Sequence, residues 1–419
     1  MGITFLKKKL TLERTLLFGA FFFFLSYTLL SYMGRPWVMY SITSNNLKQN
    51  VNTGMLCSIT LILAMVCFLG LVVSQFMKKR LNPIIITPIL ILFGFGLFWV
   101  GYDFLFSGRS LVWLLRDPFS SFTFFIPLAI FIGMKDSLWS DIKKYTFACA
   151  IVLIFASFIS AIDFYRSFNT EFRPVACGMI YWFYKGFFLL LATILFTDEW
   201  RIKYKPLTFI LIIMLFVVAA ILQARSWFIQ TIILFVIYMA TAKNKRGSNL
   251  LTVLISAFIL LIFFATNEEI FNGLLNRFTT SGDTRSGQLE QFFEQISFKD
   301  LMLGQGTKAN YIFGSADEFN YIDNQILLSL FRFGVIPTVA YGFLLIYPIF
   351  KSIDEGNKKC LKQSLLLIIW ILAILGLSVF FNLSFEIAGF VVFIMVGRNI
   401  AELGQYRSRL WRKNVVWWY

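Results

Sequence analysis

Long apolar runs alternate with short polar, mostly basic segments along most of the chain. A helix needs about 20 apolar residues to cross the hydrocarbon core of a bilayer. By this measure the pattern predicts twelve membrane-spanning helices. They cover residues 15–33, 54–76, 84–106, 119–134, 145–164, 175–196, 206–222, 226–242, 250–266, 324–350, 363–381 and 385–397. The sequence therefore predicts an all-α polytopic membrane protein.

One long polar segment, residues 267–323, interrupts this pattern. It divides the chain into nine helices (1–266), a large loop (267–323), and three helices with a basic tail (324–419). Within the loop Leu289, Phe292, Phe293 and Ile296 recur at helical spacing, which predicts a short amphipathic helix. Such a helix lies on the membrane or over the helix bundle, or it packs inside a small loop subdomain.

The apolar stretch 206–242 is too long for one span, because at about 1.5 Å per residue it would reach about 55 Å. Its midpoint is Arg225, and an arginine at mid-bilayer costs several kcal/mol. Two helices that meet in a tight turn at Arg225 place this side chain at a membrane surface instead.

The distribution of charge supports this topology. With the N-terminus in the cytoplasm, every inner segment carries at least three lysines or arginines, as the positive-inside rule requires. Both termini are then cytoplasmic and the large loop faces outward. The net charge of +16 is accounted for by topology and by attraction to anionic lipid. We therefore expect membrane lipid as a partner, and no nucleic acid.

The composition limits the available chemistry. Only 14% of residues are charged, 58% are hydrophobic, and the chain has no histidine. Its five cysteines form no CxxC pair, so no metal site and no cofactor are expected. Catalysis would then rest on arginine, carboxylate and amide groups.

Three arginines near the outer surface are candidates for anion binding. The guanidinium group is permanently charged and fits phosphate oxygens with two hydrogen bonds. Arg225 is either such a clamp or an arginine that snorkels to the interface. Arg285 follows turn residues and opens the amphipathic helix, where backbone donors add to its charge. Arg277 is more typical of solvated surface charge.

The end of the loop supplies the remaining candidates. Asp323 and Asn324 either cap the next helix or act on a sugar hydroxyl, with Asp323 as general base. Gln325 and Arg332 are seven residues apart, so they share a helix face, and Arg332 is not expected to face lipid. Upstream, Gly304-Gln305-Gly306 is typical of a tight turn and lacks the context of a nucleotide-binding loop.

Four sequence pieces, taken in order, carry a family resemblance. They are Gln223-Ala224-Arg225, Arg285, Leu303-Gly304-Gln305-Gly306, and residues 323–334 (DNQILLSLFRFG). With the predicted topology, they resemble the O-antigen polymerase (Wzy) and O-antigen ligase group of bacterial membrane enzymes. In the ligases a His-Asn or His-Ser pair begins the helix after the loop. Asp323 stands there in this chain, which favours the polymerase.

The resemblance implies a GT-C-like, metal-independent glycosyltransferase at the periplasmic face of the bacterial inner membrane. Its donor and acceptor would be oligosaccharides linked to undecaprenyl pyrophosphate, and a chain-length regulator would be a further partner. Arg225, Arg285 and Asp323 would be catalytic. The residues expected to bind substrate are Asn324, Arg277, Gln325, Arg332 and Tyr321. Two alternatives stay open: a ligase that joins glycan to the lipid A core, and a flippase for lipid-linked oligosaccharides.

Overall fold

The computed structural model describes residues 2–33, 54–76, 83–106, 108, 110–116, 120–167, 178–196, 198–241, 267, 270, 272, 284–307, 309–313, 316–319, 322, 324–377 and 385–415. In its first part the helices are α1 (Gly2–Met33), α2 (Gly54–Phe76), α3 (Pro83–Phe106), α4 (Leu111–Arg116), α5 (Ile130–Gly133), α6 (Asp136–Ser167), α7 (Gly178–Phe196), α8 (Asp198–Ile221) and α9 (Arg225–Thr241). The predicted span 250–266 lies outside the described residues.

The second part contains short helices, one hairpin and three long helices. These elements are α10 (Thr284–Gln295), α11 (Phe298–Leu303), β1 (Tyr311–Phe313), β2 (Ala316–Phe319), α12 (Gln325–Phe333), α13 (Val335–Asp354), α14 (Lys358–Leu372) and α15 (Ile387–Val415). The two strands pair antiparallel, and the sequence did not predict them.

Six of the described helices are long and apolar enough to cross a membrane: α1, α2, α3, α6, α13 and α15. Four further apolar segments are shorter: Ser121–Gly133, Ile180–Phe196, Lys205–Ile221 and Arg225–Ala240. The described part is thus a helical membrane protein. Residues 119–134, expected as one span, instead form a 3-10 helix (Ser121–Ala129) followed by α5. Pro127 lies inside this segment and has no N–H for an α-helical bond.

The predicted span 324–350 is broken at Gly334. This residue has a φ of +86° and separates α12 from α13. Pro337, in the first turn of α13, has no N–H to donate to the carbonyl of Phe333, four residues before it. The indole Nε1 of Trp99 donates to that carbonyl instead, at 3.1 Å. A single helix from 324 to 350 was therefore wrong, and the tenth predicted span begins at Val335.

The chain divides into two compact units. The first comprises Met1–Phe24, Ser58–Lys144 and Asp283–Tyr419. A cluster of phenylalanine rings forms part of its core; its members are Phe21, Phe24, Phe68, Phe385 and Phe390. Two glycines bring α5 and α15 into backbone contact: a Cβ on Gly133 would collide with the carbonyl of Ile394, and one on Gly397 with that of Ile130. Small residues at such crossings let membrane helices approach closely.

Ion pairs join three elements of the first unit. Glu13 of α1 pairs with Lys135, which lies between α5 and α6, and Arg14 pairs with Asp141 of α6 at 3.1 Å. Arg398 of α15 bonds to Asp136 and, at 2.8 Å, to Glu402. A hydrogen-bonded group between α13, α14 and α15 adjoins them, formed by Ser352, Ser364, Gln363, Asn399 and Glu402.

The second unit comprises Leu25–Cys57 and Tyr145–Gly282. Its helix α7 is buried at every position from Ile180 to Phe196. Helix α8 ends at Ile221 and α9 begins at Arg225, so the predicted break in the apolar stretch 206–242 is confirmed. The turn between them places Gln223 at a φ of +48°.

Candidate functional site

From Thr284 onward, the described part of the large polar segment folds into a small subdomain of the first unit. We call α10, α11, β1, β2 and α12 the loop subdomain. Its buried core consists of Phe292, Ala309, Tyr311, Ile322, Leu327, Leu328 and Phe331. Because α12 contributes three of these residues, the subdomain extends past the predicted loop boundary at 323 to Phe333.

The apolar face of α10 packs into this core. The ring of Phe292 meets those of Phe331 and Tyr311 edge to face, at 5.1 and 5.2 Å between centroids. Leu289 and Ile296 pack against the same core, whereas Phe293 is exposed. Of the two interpretations of this helix, packing inside a loop subdomain is therefore the one that the structure supports.

Glutamine side chains of α10 attach the hairpin to this helix. Gln295 donates through Nε2 to the carbonyl of Ile312 at 2.9 Å, and its Oε1 accepts from the Ile312 amide at 2.8 Å. Gln288 donates to the hydroxyl of Tyr311 at 2.9 Å. The short strand β1 thus receives from a side chain the hydrogen bonds that a third strand would provide.

Helix α11 begins in a capping box. The hydroxyl of Ser297 accepts from the Asp300 amide, and the Asp300 carboxylate accepts from the Ser297 amide at 3.0 Å. Hydrogen bonds from the Ser297 side chain, the Gln305 side chain and the Ser297 backbone hold the pKa of Asp300 below its ordinary value of 3.8. Asp300 is therefore ionised at neutral pH, and it links the start of α11 to Gln305.

The turn Gly304-Gln305-Gly306 closes the end of α12, and the predicted tight turn is confirmed. The amide of Gln305 donates to the carbonyl of Phe331 at 2.9 Å, and the amide of Gly306 donates to that of Arg332 at 2.7 Å. The last carbonyls of a helix lack partners within the helix. Here the amides of Gln305 and Gly306 and the indole N–H of Trp99 are the partners of these carbonyls.

A buried carboxylate lies beside this turn. Asp103, near the end of α3, is 1% exposed and accepts from the amide of Thr307 at 3.2 Å. A Cβ on Gly306 would lie 3.2 Å from the same carboxylate oxygen. In the sequence, Asp103 is a single acid near the end of the predicted span 84–106. Its contact partner is 204 residues away in the chain, so no local pattern indicated it.

Three predicted site residues lie on or next to α12. Asn324 is its N-cap, since the side-chain oxygen accepts from the amides of Ile326 and Leu327, both at 3.1 Å. Gln325 and Arg332 are both buried, with Arg332 only 2% exposed. Burial of this pair agrees with the prediction that they share a face directed away from lipid. The capping role belongs to Asn324.

The other predicted residues of the loop are described in part or not at all. Arg285 is the second residue of α10, so its predicted position at the start of the loop helix is confirmed, while its side chain lies outside the described part. Arg277, Tyr321 and Asp323 lie outside the described residues. Among the described residues, the structure brings together Asn324, Gln325, Arg332 and the Gly304–Gly306 turn.

Arg225 belongs to the second unit, where it is half-buried at the start of α9. Trp227 stacks on Phe183 of α7, with 5.0 Å between ring centroids and 12° between ring planes. Tyr184 also contacts Trp227, and its hydroxyl lies 3.5 Å from Oε1 of Gln230. The turn that carries Arg225 is therefore held against α7 by aromatic packing.

Lys185 is the other notable cation of this unit, and it is buried. Its neighbours Phe183 and Tyr184 both contact α9. Successive residues of a helix are rotated by about 100°, so Lys185 is directed to a different side of α7.

The first unit also contains an apolar groove. Helices α3 and α13 line it, and its volume is about 730 Å³. Its lining residues are Pro83, Ile84, Thr87, Pro88, Ile91, Val335, Ile336, Val339, Ala340 and Phe343. Within the described ranges, no three histidine, cysteine, aspartate or glutamate side chains lie together as a metal site would require.

Comparison with known families gave no matching family model, and a search of curated proteins gave no similar protein. The fold and the site define the class: a helical membrane protein with a small polar subdomain attached to the ends of α3 and α13.

Proposed function

We propose that the protein is a glycosyltransferase that polymerises oligosaccharide repeat units linked to undecaprenyl pyrophosphate. It would act at the periplasmic face of the bacterial inner membrane, as an O-antigen polymerase of the Wzy type. The proposal includes the finer topology of twelve spans, with both termini in the cytoplasm and the large loop in the periplasm.

One observation carries most of the support. Two pieces of the family resemblance, Leu303–Gly306 and residues 323–334, are bonded backbone to backbone through Gln305 and Gly306. A third piece, Arg285, is on α10, whose Phe292 packs against Phe331 of α12. Segments that resemble the family separately in sequence thus belong to one folded subdomain.

The chemistry follows from the charges that the reaction creates. The acceptor hydroxyl bonds to the anomeric carbon of the donor sugar while the bond to pyrophosphate breaks. Arg285, in the first turn of α10, stabilises the departing pyrophosphate with its guanidinium group. Asp323 accepts or orients the proton of the attacking hydroxyl. The family resemblance assigns pyrophosphate binding to Arg225 as well.

Buried residues around α12 have a positioning role in this proposal. Asn324 fixes the start of the helix directly after Asp323. Gln325 and Arg332, both buried, hold the helix in the subdomain, and Asp103 holds the neighbouring turn. Their effect on the reaction is through the placement of other groups.

Reconstitution provides the direct test. Purified protein is placed in vesicles, and lipid-linked repeat units are supplied only at the face that carries the loop. We expect longer glycans to form, and we expect Arg285→Ala to abolish their formation. We expect Arg285→Lys to have low polymerisation activity as well, because a single ammonium group does not replace the two parallel hydrogen bonds of a guanidinium group. The matched control is Lys358→Ala, which removes an exposed cation at the start of α14 and is expected to keep full activity.

The same assay separates the alternatives. Transfer of glycan to a lipid A core, without chain growth, would identify a ligase. Movement of repeat units across the vesicle membrane, without joining, would identify a flippase. Normal chain growth by Arg285→Ala would remove Arg285 from the site.

A further inference from the structure

Helix α11 leaves an apolar face uncovered. Phe298, Met302 and Leu303 are 76%, 41% and 64% exposed, although they lie within a polar loop segment. Leu301, which neighbours Phe298 at a spacing of three residues, packs against the core of the loop subdomain. The fold therefore covers the edge of α11 that carries Leu301, and the arc from Phe298 through Met302 to Leu303 leaves three large apolar side chains exposed.

The C-terminal end of α11 adjoins the start of α13, a candidate span. A Cβ on Gly334, the residue before α13, would lie 2.8 Å from the carbonyl oxygens of both Met302 and Leu303. Ile336 and Val339, in the first turns of α13, are also exposed. The last residues of α3, Leu105 and Phe106, are exposed as well. Since α13 is a candidate span, the exposed apolar residues of α11 lie next to exposed apolar residues at the start of a helix that is apolar enough to cross a membrane.

The one charged residue on this side of the helix suits the same surroundings. Lys299 is exposed and, at about 100° per residue, lies between Phe298 and Leu303 around the helix axis. A lysine buries its aliphatic stem in an apolar layer and extends its ammonium group to lipid phosphates. The side chains together match the chemistry of a lipid surface, where apolar groups and phosphate lie at adjacent depths.

We propose that α11 inserts Phe298, Met302 and Leu303 into the boundary between lipid headgroups and acyl chains, with Lys299 at the phosphates. The partner is the bilayer that α3 and α13 cross. The contact fixes the depth of the Gly304–Gly306 turn, and with it the depth of α12, relative to the membrane surface. This anchoring goes beyond the proposed glycosyl transfer and holds whether or not the protein polymerises sugars.

Spin labelling of the full chain tests the proposal without any activity assay. The five native cysteines are replaced by alanine, and a nitroxide is attached through Phe298→Cys, Met302→Cys or Leu303→Cys. The matched controls are Glu290→Cys and Glu294→Cys, at exposed positions on α10. Each protein is reconstituted in vesicles of phosphatidylethanolamine and phosphatidylglycerol. Collision of the nitroxide with oxygen, which concentrates in lipid, is compared with collision with a water-soluble nickel chelate.

We expect a several-fold higher ratio of oxygen to nickel collisions at 298, 302 and 303 than at 290 and 294. Equal ratios at the two sets would overturn the proposal. Labels at α11 that are shielded from both reagents would also overturn it, because they would indicate a second copy or another protein on this face. Because all five labelled positions are exposed, the labels themselves do not disturb the packed core. The replacement of buried Cys57, Cys149 and Cys360 is common to all five proteins and so does not affect the comparison. Circular dichroism of each labelled protein verifies that the helices are retained.

Discussion

Two independent features of the structure disfavour any residue other than glycine at position 304. Its φ of +81° is a conformation that residues with a Cβ adopt at a cost, and a Cβ there would lie 2.6 Å from the carbonyl carbon of Phe333. We therefore expect Gly304→Ala to lower the free energy of unfolding by about 1–3 kcal/mol. The measurement is thermal unfolding of the purified protein in detergent.

A second glycine of the same subdomain is the control. Gly287 lies within α10, and a Cβ there would meet no atom within 4 Å. Because alanine is the better helix former by about 0.5–1 kcal/mol, Gly287→Ala should be neutral or slightly stabilising. Equal losses of stability in the two variants would show that the turn at Gly304 is not the origin of the effect.

For single residues, the sequence predicted those features that follow from residue type and from spacing along a helix. The seven-residue separation of Gln325 and Arg332 indicated a shared face, and both side chains are buried. Asp103 could not be placed in the same way. Its bond to the Thr307 amide joins α3 to a turn far along the chain, and no pattern in either segment refers to the other.

At the scale of elements, variants at the start of α12 distinguish two roles of Asn324, helix capping and contact with substrate. As an N-cap it stabilises the helix, so Asn324→Ala should cost about 0.5–2 kcal/mol, whereas Asn324→Asp retains the acceptor and should cost little. Thermal unfolding and glycan polymerisation are measured for both variants. If Asn324 only caps, activity follows stability and Asn324→Asp stays active. A stable but inactive Asn324→Asp would instead indicate contact with substrate.

The sequence predicted the end of a helix where an unbroken helix would have had a high free-energy cost. The break before Arg225 followed from the cost of an arginine at mid-bilayer and is present. The break at Gly334 was missed because hydrophobicity continues through it, although Gly334 and Pro337 were the local signal. The hairpin was missed because strands of three and four residues are too short to show alternation, and Gln295 of α10 supports one of them.

At the scale of the whole molecule, the ion pair between Glu13 and Lys135 connects α1 to the start of α6 within the first unit. The side chain of Glu13 is 3% exposed and that of Lys135 is 18% exposed. Glu13→Gln leaves the lysine without its counter-charge. We expect a loss of about 3 kcal/mol, the lower end for a broken buried pair, because Lys135 keeps some contact with solvent. Unfolding by sodium dodecyl sulfate in mixed micelles measures it.

The double variant Glu13→Gln/Lys135→Met removes both charges and should regain most of this loss. The control is the pair Lys351–Asp354, in which Asp354 is largely exposed. Asp354→Asn should change stability by less than about 1 kcal/mol. A double variant as unstable as Glu13→Gln would point to damaged packing and away from an unpaired charge.

Hydrophobicity and the distribution of charge predicted the class of the molecule, because both are sums over many residues. The division into two units was not predictable. The first unit is assembled from three separate segments of the chain. The contacts at Gly133 and Gly397 require the backbones of α5 and α15 to lie close together, and a hydropathy pattern does not indicate such proximity.

The backbone contact between α5 and α15 has a consequence for the order of synthesis. A ribosome completes α5 more than 250 residues before it completes α15, and membrane insertion proceeds meanwhile. Until α15 emerges, the short helix α5 and its glycine surface lack the partner against which they pack. Translation of the second unit, which began before α5 with the segment Leu25–Cys57, is completed at Gly282 during this interval. Assembly of the first unit is therefore among the last events of biogenesis, and a chain stopped before α15 exposes a surface that membrane quality control can recognise.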